Sequence, residues 1–406
     1  MTSSALNPAE LAKTKAWHIA ILVYFCSLGL SGASLMVRLP LVKQLLNVNT
    51  ATLGLLILIS SMGAIISLSQ AGRIISRIGT RPAMTWGLVL AVFAWIAGAY
   101  FASTGSAFGY TASGFIAGLG FGLTDVAMNV DGSAIEQRLG KNLMPRLHAG
   151  YSIGTVTGAG LGTLAATVNF SIFWQIVILS GLQLLVPVFT YRHLVAGNGI
   201  EAPKVHDTAG QVIKVKWLNR VAIWLGIGIL GITVAEGASN DWLALGMVEG
   251  YHASATNAGI SYAVLLSAMT LTRFFGGNLA DKIGKARALQ SLALVGIVGL
   301  ILIIVSAPNV ILAWIGSAMW GVGVALGFPL FLSAAGEGEH AAKRVSFVAL
   351  WGYGAFIVGP PLLGFIGQVW GILSIFGAIT GFLVVTAIFA SAAGNKTVKN
   401  QASSTE

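Results

Sequence analysis

The sequence predicts an all-α polytopic membrane protein with twelve transmembrane helices in two pseudo-symmetric six-helix bundles. Only 9% of its 406 residues are charged and 56% are hydrophobic, whereas an ordinary soluble domain carries about 25% charged residues. Uncharged stretches near the ~20 residues that a helix needs to cross hydrocarbon recur along the whole chain. Ten-residue segments of alternating polarity, which would indicate a β-barrel, do not occur. These observations together predict helices in a lipid bilayer.

The twelve predicted spans follow one another along the chain. The first comes after the polar segment MTSSALNPAELAKTKA, which has no clear small-residue cleavage site, so we expect a retained helix and not a signal peptide. The spans are 17–38, 52–72, 82–102, 107–132, 144–168, 171–191, 218–243, 256–276, 286–306, 309–334, 345–368 and 371–393.

Positive charge is distributed unevenly over the connections between the spans. If both termini are cytoplasmic, every Lys and Arg except Arg38 and Lys43 falls in a cytoplasmic segment or at the cytoplasmic end of a span. This asymmetry follows the positive-inside rule and predicts that both termini are cytoplasmic. Basic residues beside anionic lipid also account for the net charge of +10, so no nucleic-acid partner is expected. Cys26 is the single cysteine, which excludes an intramolecular disulfide.

The sequence repeats itself once. GRIISRIGTR at 72–81 matches GNLADKIGKAR at 277–287, and GYSIGTVTGAGLG at 150–162 matches GYGAFIVGPPLLG at 352–364. A near-constant offset over distant segments indicates duplication of a six-span unit. We therefore predict an N-terminal bundle (1–191), a cytoplasmic linker (192–216), a C-terminal bundle (217–395) and a cytoplasmic tail (396–406). This fold needs no second subunit, so we expect a monomer.

A signature in the second repeat connects the chain to a known family. Six plus six spans, a polar central segment and a G-x-x-x-D-[RK]-x-G-[RK] motif after span 8 resemble the major facilitator superfamily. The matching residues are Gly277, Asp281, Lys282, Gly284, Lys285 and Arg287. The first copy has Ser76 where the family has its loop aspartate. More narrowly, MPRLHAGYSIG, AEGASNDWL and GFPLFLSAAG resemble the YbjJ-type proteins near the fucose and hexose permeases. The resemblance implies a transporter of the bacterial inner membrane.

Two equivalent glutamates, at the inner ends of spans 4 and 10, are expected to pair with basic residues of the repeated loops. The expected pairs are Glu136 with Arg77 or Arg81, and Glu337 with Lys285 or Arg287. The resemblance implies that such networks, with the loop aspartate Asp281, latch a cytoplasmic gate. The alternative is that these residues are only topological anchors and solvated charges.

Small residues and prolines mark the helices that we expect to pack closely or bend. Glycines recur at four-residue spacing in span 5, at Gly150, Gly154, Gly158 and Gly162. This spacing lets helix backbones approach each other closely in lipid. Span 11 carries Pro360 and Pro361, and we expect a kink there because proline removes a helical hydrogen bond.

The stretch AEGASNDWL at 235–243 places two carboxyl groups and an amide in an apolar span. An ionised group at the bilayer centre costs at least about 2.5–3.5 kcal/mol. Glu236 and Asn240 are four residues apart and share a helix face, whereas Asp241 projects about 100° further round and lies nearer the outer end. All three are candidate solute-binding residues, and Glu236 is also a candidate proton carrier.

Span 1 carries a polar stripe that predicts a partner for these groups. Its members occur at intervals of three and four residues: Tyr24, Ser27, Ser31, Ser34 and Arg38. We favour a water-lined face with Ser31, Ser34 and Arg38 as solute-binding residues; the alternative is serines bonding their own backbone at a helix contact. Arg38 is expected to pair with Asp241 or Glu236, either at the solute site or as an outer-surface ion pair.

Span 4 carries a second polar layer. Asp125 and Asn129 lie four residues apart on one face, so Asp125 is a second candidate proton carrier and Asn129 a candidate solute ligand. Asp131 lies close enough to the inner boundary to be solvated. His148 is expected nearby in a cytoplasmic vestibule, either relaying protons or serving as a structural hydrogen-bonding residue.

Several tryptophans have positions that suggest distinct roles. Trp320 and Trp351 are expected to line the cavity and stack on a sugar ring, although burial in the core or exposure to lipid suits each as well. Others fall at span ends and fit an interfacial belt, namely Trp17, Trp86, Trp217 and Trp370.

The sequence predicts a secondary active transporter that moves a small polar solute by alternating access. Proton coupling through Glu236, Asp125 and His148 is a sub-hypothesis, and a sugar or sugar derivative is implied by the resemblance alone. The alternatives are efflux of a metabolite or amphipathic drug, and a non-transporting sensor of the same fold. The chain has no ATP-binding signature, and its histidines and cysteine form no cluster with metal or nucleophile spacing. We therefore expect no enzyme activity, metal or cofactor.

Overall fold

The computed structural model describes residues 7–139, 143–200, 220–276, 282–336 and 341–394. These form fourteen α-helices and, within the described ranges, no strand. The helices are α1 (Pro8–Val37), α2 (Leu39–Leu46), α3 (Thr50–Ile78), α4 (Thr80–Ser103), α5 (Ala107–Leu139), α6 (Met144–Thr167), α7 (Ile172–Thr190), α8 (Arg220–Tyr251), α9 (Ala255–Phe275), α10 (Lys285–Val305), α11 (Val310–Val324), α12 (Gly327–Ala335), α13 (Ala341–Trp370) and α14 (Ser374–Phe389). Short 3₁₀ turns follow α7 at Tyr191–His193 and α14 at Ala390–Gly394.

Eleven helical segments in the described part of the chain are long and apolar enough to cross a membrane. They correspond to all the predicted spans except 144–168. The structure forms that span as α6, a 24-residue helix that is rich in Gly and Thr and therefore less apolar than the others. The predicted all-α polytopic fold is confirmed.

Two connections differ from the simple span pattern. The outer turn after span 1 is itself helical and forms α2. Span 10 is divided into α11 and α12, with Ala325 and Leu326 in a turn. Pro329 explains the break, because it has no N–H for the carbonyl of Ala325 four residues earlier. In contrast, α13 remains helical through Pro360 and Pro361.

The described residues within Met1–Asn47 and Ile59–Asp207 form one compact unit. Its main helix pairs are α1 with α6 and α4 with α5. The α1–α6 contact is so close that a Cβ on Gly154 or Gly158 would lie 2.0 Å from a carbonyl oxygen of α1. This confirms the close approach that the glycine spacing of span 5 predicted. The core of the unit contains large side chains of α1, α4 and α5, including Trp17, Phe25, Met84 and Met128.

The described residues within Val48–Leu58 and Thr208–Glu406 form the second unit. Here α8 packs against α13 and α14, and α10 packs against α11. The beginning of α3 belongs to this unit because its backbone lies against α13. The N–H of Thr50 donates to Gln368 Oε1 at 3.1 Å, and a Cβ on Gly54 would lie 2.5 Å from the carbonyl oxygen of Pro360.

The repeated loops share one backbone conformation. Gly79 has φ +84° and Gly284 has φ +85°, and each immediately precedes the next helix. Positive φ strongly favours glycine, because any Cβ would clash there. The two copies of the duplicated unit therefore retain the same turn before α4 and α10.

Candidate functional site

The centre of the candidate site is an ion pair between α8 and α9. Glu236 of α8 accepts a hydrogen bond from Arg273 of α9. Arg273 Nε also donates to the carbonyl of Ala325, at 3.0 Å. Pro329 leaves that carbonyl without its helical donor. Arg273 therefore donates both to the carboxylate of Glu236 and to the carbonyl that the break between α11 and α12 leaves free. Three predicted spans thus meet at a single guanidinium.

The pair is not sealed inside the unit. The side chains of Arg273 and Glu236 are 35% and 24% exposed. Charged atoms exposed to hydrocarbon would be energetically costly, so we infer that the exposed part faces water. A partly hydrated ion pair in hydrocarbon-length helices can exchange its partners for a proton or for a polar solute.

Sequence reasoning missed Arg273. The signal was available, since Arg273 lies inside the predicted span 256–276, a run that is otherwise uncharged. The sequence predicts Arg38 as one partner of Glu236, and the structure shows Arg273 of the same unit bonded to it. An arginine within an apolar span near a break in another helix was the feature to look for.

Asn240 lies one turn beyond Glu236, as the four-residue spacing predicted. Its side-chain oxygen accepts a hydrogen bond from the Tyr262 hydroxyl of α9 at 2.7 Å. The amide of Asn240 is only partly buried. The helices α8 and α9 together therefore present a carboxylate, a guanidinium, an amide and a phenol.

The polar stripe of span 1 faces α7 and not water. Two glutamines of α7, eight residues apart, form hydrogen bonds with it. Gln183 accepts from the Ser31 hydroxyl and donates to the Ser27 carbonyl at 2.6 Å, whereas Gln175 donates to Ser34 Oγ at 2.8 Å. Ser31 and Ser34 are 1% and 0% exposed. The expectation of a water-lined stripe is therefore wrong, because α7 supplies the hydrogen-bond partners.

Arg38 belongs to the same helix contact. It is 5% exposed and donates to Gln175 Oε1 at 3.1 Å and to the carbonyl of Phe170 at 2.9 Å. Hydrogen bonds within the first unit thus offset the energetic cost of burying Arg38. The expected pairing of Arg38 with Glu236 or Asp241 stays a prediction.

Asp125 and Asn129 lie four residues apart on α5 and form a local pair. Asn129 Nδ2 donates to the backbone carbonyl of Asp125 at 2.8 Å and to its carboxylate at 3.3 Å. Both side chains are partly exposed. The first unit therefore carries a carboxyl group that remains open to a proton or a ligand.

Asp131 is buried, contrary to the expectation that it is solvated. It is 0% exposed and accepts from Trp17 Nε1 and from Asn198 Nδ2, both at 2.7 Å. Asn198 follows span 6, and its carbonyl accepts the N–H of Thr80 at the start of α4. This cluster joins α1, α4 and α5 to the beginning of the linker. Trp17 therefore lies in the core and not in an interfacial belt.

His148 lies on α6 and is exposed. Its ring meets the ring of Phe25 edge-on, with centroids 5.1 Å apart. Asp131, the carboxylate expected beside it, is held by Trp17 and Asn198 instead. The contact with Phe25 agrees with the structural alternative that the sequence left open.

The predicted gate pair of the first half is wrong. Glu136 Oε1 accepts the N–H groups of Leu143 and Met144, at 2.5 and 2.7 Å, and so caps the N-terminus of α6. A carboxylate is favourable at that position because helix N-termini carry partial positive charge. Arg81 instead stacks over the ring of Tyr191 at 3.6 Å, and Arg77 is exposed.

The predicted gate of the second half is only partly covered by the structure. Asp281 and Glu337 lie outside the described residues, so the expected pair of Glu337 with Lys285 or Arg287 does as well. Arg287 itself is exposed on the first turn of α10.

The two candidate aromatic residues have different surroundings. Trp320 is 0% exposed and packs edge-on against Phe376, so it belongs to the core and its expected stacking on a solute is wrong. Trp351 is half-buried and meets Phe347 with ring centroids 6.2 Å apart. Only Trp351 retains a surface for a ligand.

Comparison with known proteins identifies the family. The sequence model of the Major Facilitator Superfamily matches residues 2–135 and 144–347. An uncharacterised MFS-type transporter of Yersinia pestis is 26% identical over 367 residues, which cover 90% of this chain and 92% of that protein. The membrane protein MosC of Rhizobium meliloti is 26% identical over 361 residues, covering 87% of this chain and 84% of MosC.

Solved structures show the same fold. A mutant of the nucleoside transporter NupG superposes with a TM-score of 0.74 at 13% identity, covering 94% of this chain and 100% of NupG. The D-xylose–proton symporter superposes with a TM-score of 0.69 at 16% identity, covering 92% of this chain and 97% of the symporter. A mutant of the E. coli fucose:proton symporter FucP superposes with a TM-score of 0.60 at 14% identity, covering 94% of this chain and 98% of FucP.

Proposed function

The chain belongs to the Major Facilitator Superfamily, and we propose that it is a secondary active transporter of a small polar solute, driven by protons as a symporter. The observation that carries this proposal is the partly exposed Glu236–Arg273 pair at the break of span 10. Protonation of Glu236 would release Arg273, and a solute oxygen could then take the place of the carboxylate. The proton would thereby bind Glu236 and the solute would bind Arg273, so that both sites belong to one ion pair.

The polar groups around the pair indicate the chemistry of the solute. Asn240, Tyr262 and Arg273 offer donors and acceptors suited to hydroxyl groups. Structural relatives at low identity transport fucose, D-xylose and nucleosides. We propose a sugar or sugar derivative as the solute, carried across the inner membrane by alternating access of the two halves.

The test is uptake by purified protein reconstituted in liposomes. Fucose, D-xylose and nucleosides, each radiolabelled, are offered with and without an inwardly directed proton gradient. We expect accumulation of at least one sugar or nucleoside above protein-free liposomes, and we expect the gradient to increase it. Accumulation of none of them, with gradient-driven extrusion of an amphipathic dye instead, would replace this proposal by the efflux alternative.

The role of Glu236 is tested with Glu236→Gln in the same assay. The amide cannot titrate, so we expect gradient-driven uptake to fall to the level without a gradient while solute exchange persists. Glu10→Gln is the matched control, because Glu10 and Asn7 form a capping box at the exposed start of α1 that glutamine also supports. Undiminished gradient-driven uptake by Glu236→Gln would remove this residue from coupling.

A further inference from the structure

A basic cavity lies at one end of the first unit. It has a volume of about 710 Å³ and is lined by the first turns of α1, by Arg138 near the end of α5 and by residues 192–195 after α7. These parts of the chain lie beyond the predicted spans or at their boundaries. The distribution of Lys and Arg predicts that this end of the spans is cytoplasmic. We therefore expect the cavity at the level of the inner lipid headgroups.

Positive charge predominates in the basic cavity. Lys13, Arg138 and Arg192 line it together with one carboxylate, that of Glu10. None of these three cations forms a salt bridge with a described residue. Glu10 already accepts the N–H of Asn7 at 3.2 Å in the capping box of α1. The cavity therefore has an excess of uncompensated positive charge, which suits an anion.

Neighbouring side chains position the two arginines of the cavity. The guanidinium of Arg138 lies over the ring of Trp17, 5.2 Å from its centroid, and an aromatic face attracts a cation. Arg192 Nε donates to His193 Nε2 at 3.2 Å. Among the described residues, Arg138 forms no hydrogen bond and the terminal nitrogens of Arg192 form none. Both arginines therefore retain donors for a phosphate, which arginine binds through paired N–H groups.

An apolar groove lies deeper along the same unit, between α1, α6 and α7. It has a volume of about 240 Å³, and apolar residues predominate in its lining. Three of them, Val23, Ile153 and Leu182, are 38%, 57% and 54% exposed. The buried amide of Gln183 is bonded to α1. Exposed apolar side chains on helices of this length indicate that the groove faces lipid acyl chains.

One face of α1 connects the basic cavity with the apolar groove. Ala16 lines the cavity, Val23 and Leu30 line the groove, and Ile19 between them is 61% exposed. Their spacing keeps these side chains on one helix face. At 1.5 Å per residue, the groove begins about 10 Å beyond Ala16 and ends about 20 Å beyond it. One leaflet provides about 15 Å of hydrocarbon, half of the bilayer core, so the groove lies at the depth of an inner-leaflet acyl chain.

A face of α7 makes the same connection. Val186 lines the groove and Arg192, in the 3₁₀ turn, lines the cavity. Phe189 lies midway between them and is 66% exposed. Each of these residues is three positions from the next, a spacing typical of one helix face. A molecule with an anionic head and an apolar chain therefore fits the cavity and the groove at once.

We propose that the basic cavity and the apolar groove together bind one anionic phospholipid of the inner leaflet, with phosphatidylglycerol as the simplest example. Its phosphate lies against Lys13, Arg138 and Arg192, and one acyl chain lies in the groove between α1, α6 and α7. Basic pockets beside transmembrane helices on the cytoplasmic side suit anionic headgroups. The site belongs wholly to the first unit, so it is separate from the Glu236–Arg273 pair and does not depend on which solute is transported.

Native mass spectrometry of the delipidated full-length protein tests lipid binding directly. Phosphatidylglycerol, phosphatidylethanolamine and phosphatidylcholine with the same acyl chains are titrated separately. We expect one phosphatidylglycerol to be retained with an apparent affinity at least about tenfold higher than that of either other lipid, because their headgroups carry no net charge. Equal affinities for the three lipids would overturn the proposal.

Arg138→Gln combined with Arg192→Gln tests the headgroup contacts. Both side chains are exposed, so the variant should fold, and the loss of two cations should weaken phosphatidylglycerol binding by about thirtyfold. Arg73→Gln with Arg220→Gln removes the same charge from exposed positions outside the cavity and should retain the wild-type affinity. Equal affinities of the two double variants would show that the overall surface charge attracts the lipid, and would overturn the assignment of the cavity.

Thr157→Trp tests the apolar groove. Thr157 is exposed on α6 and lines the groove, so a tryptophan there occupies the space of the acyl chain. We expect several-fold weaker phosphatidylglycerol binding, since each buried methylene contributes to the affinity. Leu164→Trp is the control, because Leu164 lies on the same helix, is 59% exposed and does not line the groove. Unchanged affinity in Thr157→Trp would overturn the part assigned to the groove.

Glycerol 1-phosphate, the headgroup chemistry without acyl chains, distinguishes a lipid from a soluble phosphate compound. We expect it to bind wild-type protein at least about a hundredfold more weakly than phosphatidylglycerol, because it has no chain to bury. An affinity equal to that of phosphatidylglycerol would assign the basic cavity to a soluble phosphate compound and overturn the lipid site.

Discussion

Individual polar residues in the bundle interiors are held by partners distant in sequence. Asp131 accepts from Trp17 and Asn198, and Arg273 joins Glu236 to Ala325. The sequence could show that these residues are costly in a membrane, and it placed Asp125 and Asn129 on one helix face. It could not show which side chain meets Asp131, since Trp17 is 114 positions away.

Trp17→Phe should destabilise the first unit. The change removes the donor to a fully buried carboxylate and keeps most of the apolar volume, so we expect a loss of about 1–3 kcal/mol. Thermal unfolding in detergent measures it. Trp86→Phe is the control, because Trp86 is 66% exposed; an equal loss in both variants would show that the hydrogen bond to Asp131 contributes nothing specific.

At the scale of helices, sequence periodicity identified the polar face of α1 but not its neighbour. The intervals of three and four residues are compatible with either a water-filled face or a helix contact. The face is a helix contact, because Gln175 and Gln183 of α7 form hydrogen bonds with the serines and with Arg38. Those glutamines are also eight residues apart, and this matched spacing on a second helix was the overlooked signal.

Gly158→Ala should loosen the contact between α1 and α6. A Cβ at Gly158 would lie 2.0 Å from the carbonyl oxygen of Leu30, so the helices must move apart, and overpacking of this kind costs about 1–3 kcal/mol. Gly160→Ala on the same helix meets nothing within 4 Å and should leave the Tm unchanged or raise it. Identical Tm values for the two variants would contradict the close packing.

Pro329→Ala tests the break in span 10. Alanine supplies an N–H that competes with Arg273 for the carbonyl of Ala325, and a hydrogen bond from a charged group contributes about 1.5–3 kcal/mol. We expect several-fold slower uptake without loss of thermal stability. Pro187→Ala, which also returns an N–H inside a helix, is the control in the other unit. Unchanged uptake in Pro329→Ala would show that transport does not depend on the helix break in span 10.

For the whole molecule, composition and duplication sufficed to predict the fold class, whereas the family came from a resemblance carried by the signature motif after span 8. The positive φ of Gly79 and Gly284 shows that the repeat extends to backbone geometry. The chemistry of the halves has diverged: the first carries Asp125 beside Asn129, and the second carries Glu236 beside Arg273. In the described residues, Arg38 is held within the first unit by Gln175 and Phe170, and Glu236 is held within the second by Arg273.

The most direct measurement is solute-induced proton movement in weakly buffered proteoliposomes. On addition of a transported solute, the external medium should become more alkaline with wild-type protein, as protons enter with the solute. Glu236→Gln should still exchange that solute while leaving the external pH unchanged. Equal proton movement in wild type and Glu236→Gln would contradict the assignment of the Glu236–Arg273 pair as the point where proton and solute binding are coupled.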